Sequence, residues 1–216
     1  MSAGDVFEAE SGGWESGFEE LYAGAGDDLN QIPWAALAAN PALVAWLAGE
    51  PAPSVAAALV VGCGLGDDAE LLAGSGFAVT AFDVAPTAIE RCRQRFPDSE
   101  VDYRVADLFA LPHAWQRAFA LVVEIRTLQS LSLSKRTSAV TAIAETVRPG
   151  GRIFVRCLAR REHEPVGARP WPVSRAELAL FTHAGLVELA VREESPEPGH
   201  TGTVTATYAR PRWATG

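Results

Sequence analysis

The residues of this sequence best suited to chemistry are three glycines and two aspartates, each at the end of an expected strand. The turn Gly62-Cys63-Gly64-Leu65-Gly66-Asp67-Asp68 follows the apolar stretch 55–61. Glycines at 62, 64 and 66 let the backbone turn sharply and leave no Cβ between it and a ligand. The helix expected after them presents unpaired N–H groups to the same space. Alone, such a loop is as often a simple turn. Asp83 stands at the end of the expected strand 77–84, where a carboxylate can accept from both hydroxyls of a ribose. Asp107 ends the next run, 101–107, where it can accept from an adenine amino group while Leu108 offers a backbone N–H to the ring. Taken singly, Asp83 reads as a helix cap and Asp107 as a turn residue. Together, at three successive strand ends, they specify a cofactor that carries adenosine.

The loop spacing separates two such cofactors. Pyrophosphate binding in NAD sites favours G-x-G-x-x-G, and here the position of the third glycine is Asp67. Carboxylates at 67 and 68 repel a pyrophosphate and tolerate the ammonium of a methionine moiety. The expected cofactor is therefore S-adenosyl-L-methionine, with S-adenosyl-L-homocysteine as its product.

The elements that must position these residues alternate in a regular way. Strands are expected over 55–61, 77–84, 101–107, 118–125, 152–159, 186–194 and 202–210, and helices over 67–75, 86–96, 134–147 and 174–185. Pro86 stands at the first position of its helix, and Ser174 caps the last one. Repeated βα units of this kind give an α/β fold with a doubly wound, mostly parallel seven-stranded sheet, Rossmann-like, with an antiparallel C-terminal strand. Residues 1–53 read differently: polar and glycine-rich first, then helical from Trp34, with a break near Pro41. They are expected to form an N-terminal helical cap within the same domain, and 54–216 the cofactor-binding part.

Composition narrows the function. With 27 acidic against 18 basic side chains the net charge is −9, which repels phosphate backbones and anionic membranes, so neither nucleic acid nor membrane is an expected partner. The first residues are acidic, no apolar run reaches membrane-spanning length, and a cytoplasmic location is the default expectation. Cys63, Cys92 and Cys157 lack metal-site spacing, as do the histidines, so no metal is expected. A small molecule is the expected substrate, and a monomer or homodimer the expected state of this 216-residue chain.

In its ordered motifs, GCGLGDD, VTAFDVAPTAIE, VADLFALP, FALVVEI and RPGGRIFV, the sequence resembles the class I S-adenosylmethionine-dependent methyltransferases. From Trp14 to Arg212 it is most similar to the thiopurine and halide/thiol methyltransferase group. Asp68 after the loop, Glu124 at the end of the fourth strand and the pair Pro33-Trp34 carry that similarity. Val61, where the group has proline, and Arg126-Thr127 depart from it. The resemblance implies that Gly62, Cys63, Gly64 and Gly66 wrap the methionine part and that Asp83 holds the ribose. Val84 would pack on the adenine, and Asp107 and Leu108 would read its edge. Glu124 and Ile125 would border the sulfonium and the acceptor.

A sulfonium favours aromatic faces, and Trp34 and Trp14 can supply them, unless they serve only to anchor the cap. Arg126 can steer an anionic acceptor or simply be solvated. The segment 159–174, with Trp171, either roofs the acceptor pocket or is an ordinary connection. No catalytic base stands out; His113 reads as a surface residue. This fits an acceptor that is already nucleophilic, a thiolate or halide, better than an alcohol. An O- or N-methyltransferase of a secondary metabolite is the alternative, and a non-catalytic S-adenosylmethionine-binding module is the alternative of another class.

Overall fold

A computed structural model describes residues 16–26, 28–50, 56–167, 169–194 and 202–212. Trp14 and the expected cap boundary at residue 53 lie outside the described residues. Seven strands form a sheet in the order β3-β2-β1-β4-β5-β7-β6, where β1 is Ala56–Val61, β2 Phe77–Asp83, β3 Asp102–Val105, β4 Phe119–Ile125, β5 Val147–Leu158, β6 Val187–Glu194 and β7 Thr203–Ala209. Strand β7 pairs antiparallel with both β5 and β6, while β2–β3, β1–β4 and β4–β5 are parallel. The order reverses at β1, the position where sheets of this class open a crevice for ligands. By chain contacts there are two compact units: Met1–Val55 with Gly62–Asp107, and Ala56–Val61 with Leu108–Gly216.

In the first unit, helices α1 (Ser16–Gly24), α2 (Pro41–Ala48), α3 (Asp67–Gly74) and α4 (Pro86–Arg95) accompany β2 and β3. Sequence patterning expects polar chain before residue 34, yet 16–24 is helical. Phe18 and Tyr22, four residues apart, share one helix face. Tyr22, Ala25, Ile32, Leu65, Ala85 and Ala88 form one apolar cluster, against which Phe18, Leu29 and Trp34 pack. Burying side chains of this size stabilises by roughly 1.5–3 kcal/mol each. Polar ties to α4 fix the register: the Glu19 carboxylate accepts from Thr87 N (3.1 Å) and the Thr87 hydroxyl, and Arg91 donates to Tyr22 O at 2.8 Å. The helix expected from Trp34 begins only at Pro41, because the residue before a proline is pushed out of the helical region. Asn40 instead caps α2, its side chain accepting from Ala42 N at 3.0 Å.

In the second unit, β1 and β4 are nearly all apolar, as central parallel strands are. Helix α5 (Leu133–Thr146) gives way at once to β5, which starts at Val147 rather than at 152. The sequence Arg148-Pro149-Gly150-Gly151 is absorbed as a register shift opposite Phe119–Leu121. A Cβ on Gly151 would lie 2.8 Å from Phe119 O, so that approach requires glycine. The helix expected over 174–185 breaks at Ala179 into α6 (Arg175–Leu178) and α7 (Leu180–His183). Its start carries a full capping box of Ser174 and Glu177.

Candidate cofactor site

The glycine turn leaves β1 and is fastened to β2: Cys63 N donates to Phe82 O at 2.8 Å, and Gly66 N to Cys63 O at 3.0 Å. Gly64 and Gly66 have φ of +56° and +91°, a region that L side chains avoid. At Gly66 the need is also steric. A Cβ there would lie 2.5 Å from the Tyr103 hydroxyl and 3.1 Å from Cys92 Sγ.

Asp83, 7% exposed, ends β2 under this turn. Its Oδ2 accepts from Gly64 N and its Oδ1 from Ala85 N, both at 3.0 Å. Burial pushes the Asp83 carboxyl above its ordinary value, opposed by the N–H groups of Ala85, Gly64 and Val84. Each carboxylate oxygen has a second lone pair, so the group can still accept from ligand hydroxyls. Ala106 N donates to Asp83 O at 3.0 Å, and Asp83 is in register with Val105, which brings the end of β3 and half-buried Asp107 beside it. Val84, also half-buried, follows Asp83.

Above the loop stands Tyr22, a residue that sequence reasoning missed. Its ring is 2% exposed, and its hydroxyl accepts from Trp34 Nε1 at 2.8 Å. The two rings meet edge to face, with centroids 5.7 Å apart. A Cβ on Gly64 would lie 3.1 Å from the Tyr22 hydroxyl. Burial, then the nearby Asp83 charge, pushes the phenol well above its ordinary value, so it stays protonated at neutral pH. The available signal was the Phe18–Tyr22 spacing, masked by the surrounding acidic and glycine residues.

The two aspartates after the loop have partners within the protein. Asp67 makes a two-pronged ion pair with Arg95, both contacts 2.8 Å, and Asp68 Oδ1 accepts from Asn40 N at 2.7 Å. The repulsion of pyrophosphate expected from Asp67 is thus partly offset by Arg95. Asp68 joins the start of α3 to the cap of α2.

The remaining candidates belong to the second unit. Leu108 is buried in a short 3-10 turn and also lines a groove of about 210 Å³ with Phe109, Pro112, Trp115 and Thr141. Glu124 is fully buried: Oε1 accepts from Leu128 N at 2.9 Å and Oε2 from Cys157 Sγ at 3.4 Å. Burial pushes its carboxyl up to about 7. It anchors the turn that follows β4. Ile125 is half-buried, and Arg126 is exposed with φ +67°, its N–H donating to Arg156 O at 2.8 Å. Trp171 N donates to Gln129 O at 2.7 Å, and the Arg169 guanidinium lies 4.7 Å from the Trp171 ring centre. Gln129 Oε1 also accepts from Leu158 N at 2.6 Å, so segment 159–174 is stitched to the turn after β4. His113, His163 and His183 are exposed. Among the described residues, no group of His, Cys, Asp or Glu is arranged to hold a metal ion, and no helix is long and apolar enough to cross a membrane.

Residues 58–151 match the family model of a methyltransferase domain. The matched residues run from β1 into β5 and make up 94 of the chain's 216. A curated relative is the ubiquinone biosynthesis O-methyltransferase of Xanthomonas axonopodis pv. citri, 32% identical over 125 residues, which is 57% of this chain and 52% of that protein. The chain spans about half the length of the curated relatives it matches. Among solved structures, one from work on the conversion of a disulfide bond into a thioacetal group during echinomycin biosynthesis is similar with a TM-score of 0.74, 22% identity and 94% coverage of both chains. The N-methyltransferase NodS of Bradyrhizobium japonicum WM9, in complex with S-adenosyl-L-homocysteine, is similar with a TM-score of 0.71 and 21% identity, covering 92% of this chain and 98% of that one. At these identities the two structures speak for the fold.

Proposed function

We propose that this protein transfers a methyl group from S-adenosylmethionine to a small-molecule acceptor. The observation that carries the reading is the buried Asp83 carboxylate, held by Gly64 N and Ala85 N at the mouth of a glycine turn inside a methyltransferase domain. The residues fit an adenosine-bearing group in that each Asp83 carboxylate oxygen, holding one backbone N–H, retains acceptor capacity for ribose hydroxyls. Gly62, Cys63, Gly64 and Gly66 line the methionine side, Val84 packs on the adenine, and Asp107 takes its amino group. Trp34 is assigned to the cofactor through its bond to Tyr22, and Asp68 through the tie it makes to the α2 cap. Residues 1–53 act as a cap of the same domain.

S-adenosylmethionine supplies a methyl carbon already activated by a sulfonium. The protein's part is to align donor and acceptor at roughly 3–3.5 Å and to exclude water, worth on the order of 7 kcal/mol or more. Glu124 fixes the turn after β4, and Arg126 and Trp171 are assigned to the acceptor.

The favoured acceptor is a thiolate or halide-like nucleophile. The sequence similarity carried by Asp68, Glu124 and the pair Pro33-Trp34 supports it, and such an acceptor is already nucleophilic. A second reading, an oxygen acceptor, is supported by the printed function of the ubiquinone biosynthesis relatives. Release of S-adenosylhomocysteine is measured with a panel of thiols, iodide and phenols. Turnover with thiols or iodide supports the first reading and turnover with phenols alone the second. Silence across the panel, with the cofactor still bound, favours a binding module and defeats the catalytic reading.

A further inference from the structure

The turn after β4 carries an arginine where the backbone suits one poorly. Arg126 has φ +67°, a conformation that L side chains disfavour and that glycine or asparagine takes at lower cost. The turn is nevertheless fixed on every side. Arg126 N donates to Arg156 O at 2.8 Å, and its carbonyl accepts from the Ser130 hydroxyl at 3.0 Å. Thr127 Oγ1 donates at 3.1 Å to the carbonyl of Val61, the last residue of β1. Arg126 therefore stands at the carboxyl end of the paired strands β1 and β4, where sheets of this class bind ligands. It is exposed, and among the described residues no carboxylate pairs with it. The other arginines of this edge are engaged: Arg136 and Arg160 share Glu177, and Arg156 holds Glu194 at 2.7 Å.

A second guanidinium is brought to the same turn through Trp171. Gln129 O accepts from Trp171 N at 2.7 Å, and buried Arg136 donates to Trp171 O at 2.5 Å and to Pro172 O at 3.3 Å. The Trp171 ring thus rides on backbone held from two sides, and the Arg169 guanidinium lies 4.7 Å from its centre. Stacking uses the face of a guanidinium, whereas an anion is bound by its edge.

From this arrangement we infer that the methyl acceptor carries a carboxylate apart from the atom that is methylated, and that Arg126 and Arg169 bind it. The inference rests on the methyl-transfer reading and adds to it the substrate class and the residues that select it. A guanidinium fork matches a carboxylate in shape and makes charge-assisted bonds to it. The carboxylate is distinct from the nucleophile, because an arginine on the attacking atom would stabilise the charge that the reaction has to give up. In a chain of net charge −9, an exposed cation at this strand end also marks where an anion is drawn.

The test is calorimetric titration of the full chain, saturated with S-adenosylhomocysteine, with two matched pairs of probes. These are 4-mercaptobenzoate against 4-mercaptobenzamide, and 4-hydroxybenzoate against 4-hydroxybenzamide. In at least one pair the acid is expected to bind about tenfold or more tightly than its neutral amide. Arg126→Gly and Arg169→Gln are each expected to cut that preference to about threefold or less. Glycine suits φ +67°, so Arg126→Gly is expected to keep or exceed the wild-type Tm while the preference falls. Acids that bind no tighter than amides in either pair, or a preference that survives in either variant, would overturn the inference. Turnover with S-adenosylmethionine keeps the two readings apart. Methyl transfer to acid and amide with equal KM leaves the methyl-transfer reading standing and defeats this one. Arginine-dependent binding of the acids, with no transfer to any of the four probes, supports the anion site and defeats methyl transfer.

Discussion

The backbone N–H of Gly64 donates to Asp83 Oδ2 at 3.0 Å, so one buried carboxylate holds both the tip of the glycine turn and, through Ala85 N, the start of α4. The cofactor residue is thereby also a structural one. Asp83→Ala leaves two N–H groups without their acceptor, at about 1–3 kcal/mol each where they stay buried. We expect a clear fall in Tm by scanning calorimetry. Asp83→Asn keeps an acceptor oxygen and is expected to recover part of the Tm but not the ligand affinity. Equal Tm in wild type and Asp83→Ala would contradict the structural half of this role.

At Gly66 the expected effect is on folding. A methyl group there meets the Tyr103 hydroxyl at 2.5 Å, and φ is +91°. Gly66→Ala is expected to cost on the order of 1–3 kcal/mol, read as a lower urea midpoint. Adding Tyr103→Phe removes the clashing hydroxyl and should return part of that loss.

Glu124 gives a pH dependence with a definite sign. Its folded-state value of about 7 lies above the ordinary carboxyl value of 4.5, so between these values the native state binds more protons than the unfolded one. Stability then falls as pH rises through that window and levels off above about 7, with a full amplitude on the order of 3 kcal/mol. Glu124→Gln removes this titration. Urea midpoints measured from pH 5 to 8 should decline less in the variant than in wild type, and parallel curves would contradict the assignment.

Gln129 tests the stitching of segment 159–174. Its side-chain oxygen holds Leu158 N at 2.6 Å, and its backbone oxygen holds Trp171 N at 2.7 Å. Gln129→Ala removes only the first and is expected to destabilise by roughly 1–3 kcal/mol. Limited proteolysis should show faster cutting within 159–174. An unchanged cleavage rate would mean that the segment does not depend on this contact.

Much of this was legible in the sequence because the signals were local. Strand patterns before Gly62 and up to Asp83 set out β1 and β2, the third closes at Val105 rather than at Asp107 because Ala106 N turns to Asp83 O, and Pro86 and Ser174 marked helix starts that the structure keeps. What stayed hidden depends on partners distant in sequence. Helix α1 lies in acidic, glycine-rich chain, and its apolar face has meaning only against α4 and the glycine turn. Asp67 looked free to repel a ligand until Arg95, 28 residues away, was brought to it. Likewise, β5 begins early because Gly151 can approach Phe119 O, a contact that no reading of RPGG alone supplies.

The measurement that bears most directly on the whole account is isothermal titration of wild type and Asp83→Ala with S-adenosylhomocysteine, alongside NAD. The account predicts that S-adenosylhomocysteine binds wild type, that Asp83→Ala weakens it at least tenfold, and that NAD gives no heat. Undiminished S-adenosylhomocysteine binding by Asp83→Ala, or preference of the wild type for NAD, would contradict it.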